Sequence, residues 1–244
     1  MRSVDLNCDL GEGVGDDGAI MPFISSANIA CGAHAGDIAV MREVVRLAQA
    51  SRVSIGAHPG FADRENFGRR EISMRPNALR AIVIEQVERL RGICAVRHVK
   101  PHGALYNLAA RDRTTALIVA EAVRAVDPSL ILFGLAGSEL IRAGAACGLT
   151  VAEEVFGDRT YRGDGSLTPR TDPRALIRNE EEVVAQVLQM VETGMVRTVD
   201  GTEIPVKADT ICVHGDASNA VTFVHRLRTA LSAAGVAVKA FTRS

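Results

Sequence analysis

Val4-Asp5-Leu6-Asn7-Cys8-Asp9-Leu10-Gly11-Glu12-Gly13 decides how the rest of the chain is read. Side chains of a strand alternate between two faces, so Val4, Leu6, Cys8 and Leu10 share one face and Asp5, Asn7 and Asp9 the other. A parallel strand covered on both faces reads as a near-continuous apolar run. This one carries three polar groups on a single face and ends in a glycine-rich turn. Burying carboxylates without partners is costly, so that face must meet counter-charges, water or a ligand. Asp5 alone fits a hydrogen-bonding anchor. Three such residues in one stretch fit a site.

Working outward, the same unit recurs. Ala27 to Cys31 reads as a strand, followed by Gly32-Ala33-His34-Ala35-Gly36 and by Asp37 as the N-cap of a helix over Ile38 to Ala50. Val53 to Gly60 reads as strand and turn, then a polar loop, Phe61 to Arg70, ending in Phe67-Gly68-Arg69-Arg70, then a helix over Ser73 to Arg91. Val96 to Pro101 is the fourth strand, leading to His102-Gly103-Ala104-Leu105-Tyr106-Asn107, and Thr114 to Val126 is helical. Leu130 to Gly134 and Thr150 to Phe156 are strands, each preceding a helix, over Ser138 to Cys147 and Glu180 to Thr193. A long loop, Gly157 to Pro173, separates the second of these pairs. Asp200-Gly201 marks a hairpin within residues 196 to 206, read as a small exposed insertion. Thr210 to His214 is the last clear strand and Ser218 to Ala233 the closing helix. The tail Val236 to Phe241 is either an eighth strand or a cover for one end.

Seven strand–helix alternations imply a parallel sheet. An open doubly wound sheet gathers its polar residues at one switch point, whereas a barrel carries them after nearly every strand. Here polar clusters follow strands one, two, three, four, six and seven. The expected fold is therefore a single (β/α) barrel domain over residues 1 to 244, seven-stranded and TIM-like.

Alternation gives the inward set: Asp5, Asn7 and Asp9, then Asn28, His58, then His98, Lys100 and His102, then Glu154, and His214 with Asp216. Five of the six histidines lie in or just after strands on the rim where a barrel does chemistry. His225, on a helix, reads as a surface or packing residue. Carboxylates beside histidines serve as general acid and base or as metal ligands. No HExxH or other tight metal spacing occurs, so the sequence assigns no metal ligand. Lys100, Arg69, Arg70, Arg159 and Arg170 supply charge suited to a carboxylate or phosphate, or brace loops. No Gly-Lys-Ser/Thr and no GxSxG occurs. Cys8 and Cys31 fall on outward, apolar faces, against a cysteine nucleophile.

The bulk composition agrees. Over 244 residues, 47% are apolar and 23% charged, enough for a sizeable core. A net charge of −1, no Trp and 4% aromatics leave no footprint for nucleic acid or an anionic membrane. No leader pattern or membrane-length apolar run is seen. The five cysteines contain no CxxC and read as buried thiols of a reducing compartment, so the expected location is the cytoplasm.

Asp5-Leu6-Asn7-Cys8-Asp9-Leu10-Gly11-Glu12, Asn28-Ile29-Ala30-Cys31-Gly32 with His34-Ala35-Gly36-Asp37, and Gly56-Ala57-His58-Pro59 closely resemble the LamB/YcsF family. So do Phe67-Gly68-Arg69-Arg70, Lys100-Pro101-His102-Gly103-Ala104-Leu105-Tyr106-Asn107, Glu154-Val155-Phe156 with Asp158-Arg159, and Val213-His214-Gly215-Asp216. The match runs from residue 3 to about 235. Phe61-Ala62-Asp63 and Asn66 depart mildly from the family pattern. The resemblance implies a barrel similar to polysaccharide deacetylases. It also implies a hydrolase role in ATP-dependent opening of 5-oxoproline (pyroglutamate) to L-glutamate with two partner subunits. There the partners bind ATP and phosphorylate the lactam, and this chain hydrolyses the product.

On that reading Asp9 or His58 is the base, and Lys100 and His102 stabilise phosphate or the oxyanion. Arg170 or Arg69 takes the substrate carboxylate. Glu154 and His214 complete the catalytic candidates, and Asn7, Asn28, His34, Tyr106 and Arg159 the substrate-binding ones. A divalent metal stays open. The alternatives are a metal-dependent deacetylase of N-acetyl sugars and a non-catalytic binding subunit.

Overall fold

The computed structural model describes residues 2–213 and 220–242. Its first strand, β1 (Ser3–Leu10), turns Val4, Leu6, Cys8 and Leu10 into an apolar layer, each at most 2% exposed. After a short helix α1 (Asp17–Ile20) come β2 (Ser26–Ala30) and α2 (Ile38–Ser51), which Asp37 caps by accepting from the Val40 N–H at 2.9 Å. The order continues β3 (Ser54–His58), α3 (Pro76–Arg91), β4 (His98–Val99), α4 (Gly103–Arg111), α5 (Arg113–Val126), β5 (Ile131–Leu135) and α6 (Glu139–Ala146). Then follow β6 (Thr150–Phe156), α7 (Glu180–Thr193), the hairpin β7 (Met195–Arg197) and β8 (Glu203–Pro205), β9 (Thr210–Val213), α8 (Ala220–Ala233) and β10 (Ala237–Val238).

Strands β1 to β6 pair in sequence, all parallel. β9 pairs with both β6 and β1, closing a seven-stranded barrel. The tail is a strand, but not a barrel member: β10 pairs with β1 only at Ser3 and Val4, below the point where β9 takes over at Asp5.

Several boundaries differ from the sequence reading for physical reasons. The third helix starts at Pro76 rather than Ser73, because a residue before proline resists the helical region and Arg75 is extended, ψ 144°. Strand β4 spans two residues, although the Arg97 and Lys100 N–H groups still donate to Ile55 and Ala57 across the sheet. Helix α4 is not assigned from sequence, where His102 to Asn107 only follows the fourth strand; Ala104, Leu105, Tyr106 and Ala109 are its buried residues. The hairpin is not a mere decoration. The Tyr161 carbonyl accepts from the Val199 N–H at 2.8 Å and its hydroxyl accepts from the Phe156 N–H at 2.7 Å, so hairpin, rim loop and β6 are tied together.

The apolar core lies between strands and helices, whereas the barrel lumen is polar. Asp5 accepts from the Ser25, Ser26 and Thr210 hydroxyls at 2.5–2.7 Å. Asn7 donates to Glu154 and Thr210, Asn28 donates to Asn7 and Asp9, and the His98 ring meets Asn28 Oδ1 at 2.8 Å. His98 fits because Gly56 faces it: a Cβ there would lie 2.1 Å from His98 Nε2. Phe133 stacks on the His98 ring, 4.2 Å between centroids. Burial pushes the Asp5 carboxyl up against its three hydroxyl donors, and pushes the His98 pKa down to about 3, with Lys100 adding to the effect.

Candidate active site

The strands' C-terminal ends open on a cleft of about 900 Å³ whose floor includes Asp9, Glu12, His58, Lys100 and His102. The parity of β1 brings Asp9 inward, the last residue of β3 is His58, and Lys100 and His102 follow β4.

Lys100 is 2% exposed. Its ammonium lies 2.9 Å from Asp9 Oδ1 and 2.9 Å from Glu154 Oε1, and donates to Asn7 Oδ1 and Cys212 Sγ at 3.2 and 3.1 Å. Burial opposes its charge, but Asp9, Cys212 and Glu154 outweigh that and hold its pKa well above the usual lysine value. Burial drives the Cys212 thiol strongly up, and the pull of Lys100 in the other direction does not offset it.

The histidines form a second centre beside the first. His58 Nδ1 faces the Lys100 carbonyl at 2.7 Å and His102 Nε2 faces the Phe67 carbonyl at 2.8 Å. A carbonyl only accepts, so each of these nitrogens carries the hydrogen. The other two nitrogens, His58 Nε2 and His102 Nδ1, then point at each other 3.0 Å apart. Glu12 Oε1 lies 3.1 Å from His102 Nδ1, 3.2 Å from His34 Nε2 and 3.7 Å from His58 Nε2, and Asp9 Oδ2 lies 3.3 Å from His58 Nε2. His34 stacks flat on His102, 3.8 Å between centroids. Glycines make the room: a Cβ on Gly60 would lie 2.9 Å from His34 Nδ1, and one on Gly68 would lie 2.8 Å from His34 Cβ. Burial would favour a neutral Glu12; the three histidines reverse this and its pKa is lowered. Burial pushes His34 down to about 4. For His58, burial is outweighed by Asp9 and then Glu12, and its pKa ends raised.

Around this floor stands a basic rim. Arg69, Arg111, Arg142, Arg162 and Arg170 line the cleft and are exposed. The Arg69 guanidinium sits over the Phe67 ring at 4.9 Å. Arg159 also reaches the cleft, but it donates to the Thr168 and Ala175 carbonyls at 2.6 and 3.2 Å, bracing the 157–173 loop. The Tyr106 hydroxyl is buried near Glu154, and both burial and that carboxylate raise its pKa.

The inward set read from alternation thus converges, and the cleft meets Asp9, His58, Lys100, His102, Tyr106, Arg69, Arg159 and Arg170. Asn7, Asn28 and Glu154 lie beneath it, fully buried and bonded to protein groups, and His34 stands behind Glu12. His214 and Asp216 lie outside the described residues. His225 is on the surface, edge-on to Phe23, as expected.

Two residues escape the sequence reading. Glu12 follows the strand's last alternating residue, in a turn of Gly11 and Gly13 at φ +73° and +76°, where parity no longer applies. Its enclosure between two glycines is the available sign. Cys212 has the parity that the alternation rule reads as inward on the last strand, so the rule reaches it.

The family model described as the LamB/YcsF family matches residues 4–244. This chain belongs to the LamB/YcsF family. Similar LamB/YcsF relatives include the 5-oxoprolinase A-subunit of Geobacillus kaustophilus, 52% identical over 98% of this chain and 97% of the relative, and the protein of the same name from Bacillus subtilis, 48% identical over 99% and 98%. A solved structure, the lactam utilization protein from Thermus thermophilus, superposes with a TM-score of 0.92 at 44% identity, covering 98% of this chain and 100% of that one. The catalytic domain of a peptidoglycan N-acetylglucosamine deacetylase from Eubacterium rectale shares the fold: TM-score 0.53, 11% identity, covering 99% and 89%.

Proposed function

We propose that this chain is the hydrolytic component of an ATP-dependent 5-oxoprolinase, cleaving an activated 5-oxo-L-proline to L-glutamate. The observation that carries the reading is the Asp9–His58 pair on the floor of an arginine-rimmed cleft, in a chain matched along nearly its whole length by relatives named for that activity. Opening a lactam needs water at the ring carbon, a base to take its proton, and cations for the carboxylate and the departing phosphate.

Asp9 Oδ1 is held by Lys100 and Asn28, and in this reading Oδ2, beside His58 Nε2, faces the water. Asp9 takes the proton, and His58 Nε2 orients its carboxylate. Lys100 shares its hydrogens among four acceptors, so it clamps Asp9 and Glu154, and phosphate falls to the rim arginines. Arg69 or Arg170 takes the substrate carboxylate. ATP binds on two partner subunits, in keeping with the missing Gly-Lys-Ser/Thr. All five cysteines are free, in keeping with the cytoplasm. Among the described residues no helix is long and apolar enough to cross a membrane.

The test is glutamate release from 5-oxoproline and ATP, with the chain alone and with its partner subunits. Glutamate only in the full mixture, and its loss on Asp9→Asn, supports the reading; glutamate formed equally well by the partners alone overturns it. The Glu12 and histidine cluster favours a second reading, a metal-dependent deacetylase of N-acetyl sugars. Acetate released by the chain alone, lost with EDTA and restored by a divalent ion, would select it.

A further inference from the structure

We propose that Glu12, His34, His58 and His102 bind one divalent first-row transition ion at the floor of the cleft. Their donor atoms all lie within 4.8 Å of one another. In a tetrahedral site with bonds of about 2.0–2.1 Å, neighbouring donors stand about 3.3 Å apart. The contacts of 3.0, 3.1, 3.2 and 3.7 Å among these four side chains scatter about that value.

The hydrogen positions argue for a cation independently of the distances. Backbone carbonyls hold the hydrogens of His58 and His102 on their far nitrogens, so the near nitrogens bring two lone pairs face to face with Glu12 beside them. Such carbonyl partners are what orients metal-binding imidazoles. The arrangement around His102 is held at a cost, since Phe67, whose carbonyl fixes its tautomer, sits at φ 55° in the left-handed region that side chains disfavour.

Carboxylates add to the pull for a cation: Glu12 lies against all three histidines, and Asp9 Oδ2 lies 3.3 Å from His58 Nε2. Three imidazoles and one carboxylate suit zinc, cobalt, manganese or iron(II) rather than calcium or magnesium, which prefer all-oxygen shells. Such an ion would place a Lewis acid beside Asp9.

The experiment needs no turnover and so fails or succeeds apart from the oxoprolinase reading. The purified full chain is stripped with a chelator, dialysed, and titrated with Zn²⁺ by calorimetry and with Co²⁺ by visible absorption. One equivalent per chain, with d–d bands of a four- or five-coordinate cobalt centre, is expected. His58→Ala and the nearly isosteric Glu12→Gln should each weaken binding by at least about a hundredfold while unfolding cooperatively. Binding well below one equivalent at saturating metal, or an unchanged affinity in folded Glu12→Gln and His58→Ala, overturns the proposal and leaves a proton as the cluster's cation.

Discussion

The lower lumen and the rim are built from the same residue types and behave in opposite ways. Below, around Asp5, Asn28 and His98, donors and acceptors match: Asp5 takes three hydroxyls, Asn28 donates to Asn7 and Asp9, and His98 meets its oxygen. Above, His58 and His102 set acceptor against acceptor. A matched polar network fixes a shape, whereas a mismatched one, held in place by backbone carbonyls, reserves room for something that is not protein. The same composition therefore serves as scaffold at one level and as chemistry a few ångströms higher.

The sharpest way to break this contrast is at the rim. His58→Ala should lower glutamate production by the assembled complex about a thousandfold, with little change in thermal midpoint. A loss of folding comparable to the loss of rate would erase the distinction. In the lower lumen, Asn28→Leu leaves His98 without its oxygen and takes one donor each from Asn7 and Asp9, and should cost about 3 kcal/mol of stability, read by denaturant unfolding. An unchanged midpoint there would mean the network is not structural.

His98 offers a finer test through pH. Its folded pKa, pushed down to about 3 by burial and Lys100, lies below the ordinary value of 6.5. The unfolded chain therefore binds a proton that the folded chain refuses. This contribution is fully present above about pH 6.5 and is lost as pH falls toward 3, at about 1.4 kcal/mol per pH unit. His98→Gln should remove that one-proton slope from the stability profile; an identical slope would locate the proton uptake elsewhere. The smallest effect is expected at the cleft mouth, where Arg170→Ala should raise the KM for 5-oxoproline about tenfold at unchanged kcat. A fall in kcat instead would move Arg170 from binding to the reaction.

Parity makes most of this legible. Because β-strand side chains alternate strictly, Asp5, Asn7, Asp9, Asn28, His58, Lys100 and Glu154 can be turned inward from sequence alone, and the spread of polar residues over six strand ends distinguishes a barrel from an open sheet. What alternation cannot reach lies in turns. Glu12 and the Phe67 carbonyl owe their positions to positive-φ residues, whose direction no period predicts. Nor can the sequence separate floor from foundation: Asn7 and Asn28 look like ligand-binding groups until their partners across the lumen are known.

The polar lumen also bears on how the chain reaches this state. Asp5 and Thr210 are 205 positions apart, and Asn7 bridges to Glu154 and Thr210 from the far end of the sequence. An unfinished barrel, lacking β9, presents these carboxylates and amides to one open side with part of their bonding unmade. Water serves them well there, and their dehydration is repaid only when the last strand arrives. Contacts this remote in sequence slow folding, and they tie completion of the polar interior to the arrival of β9.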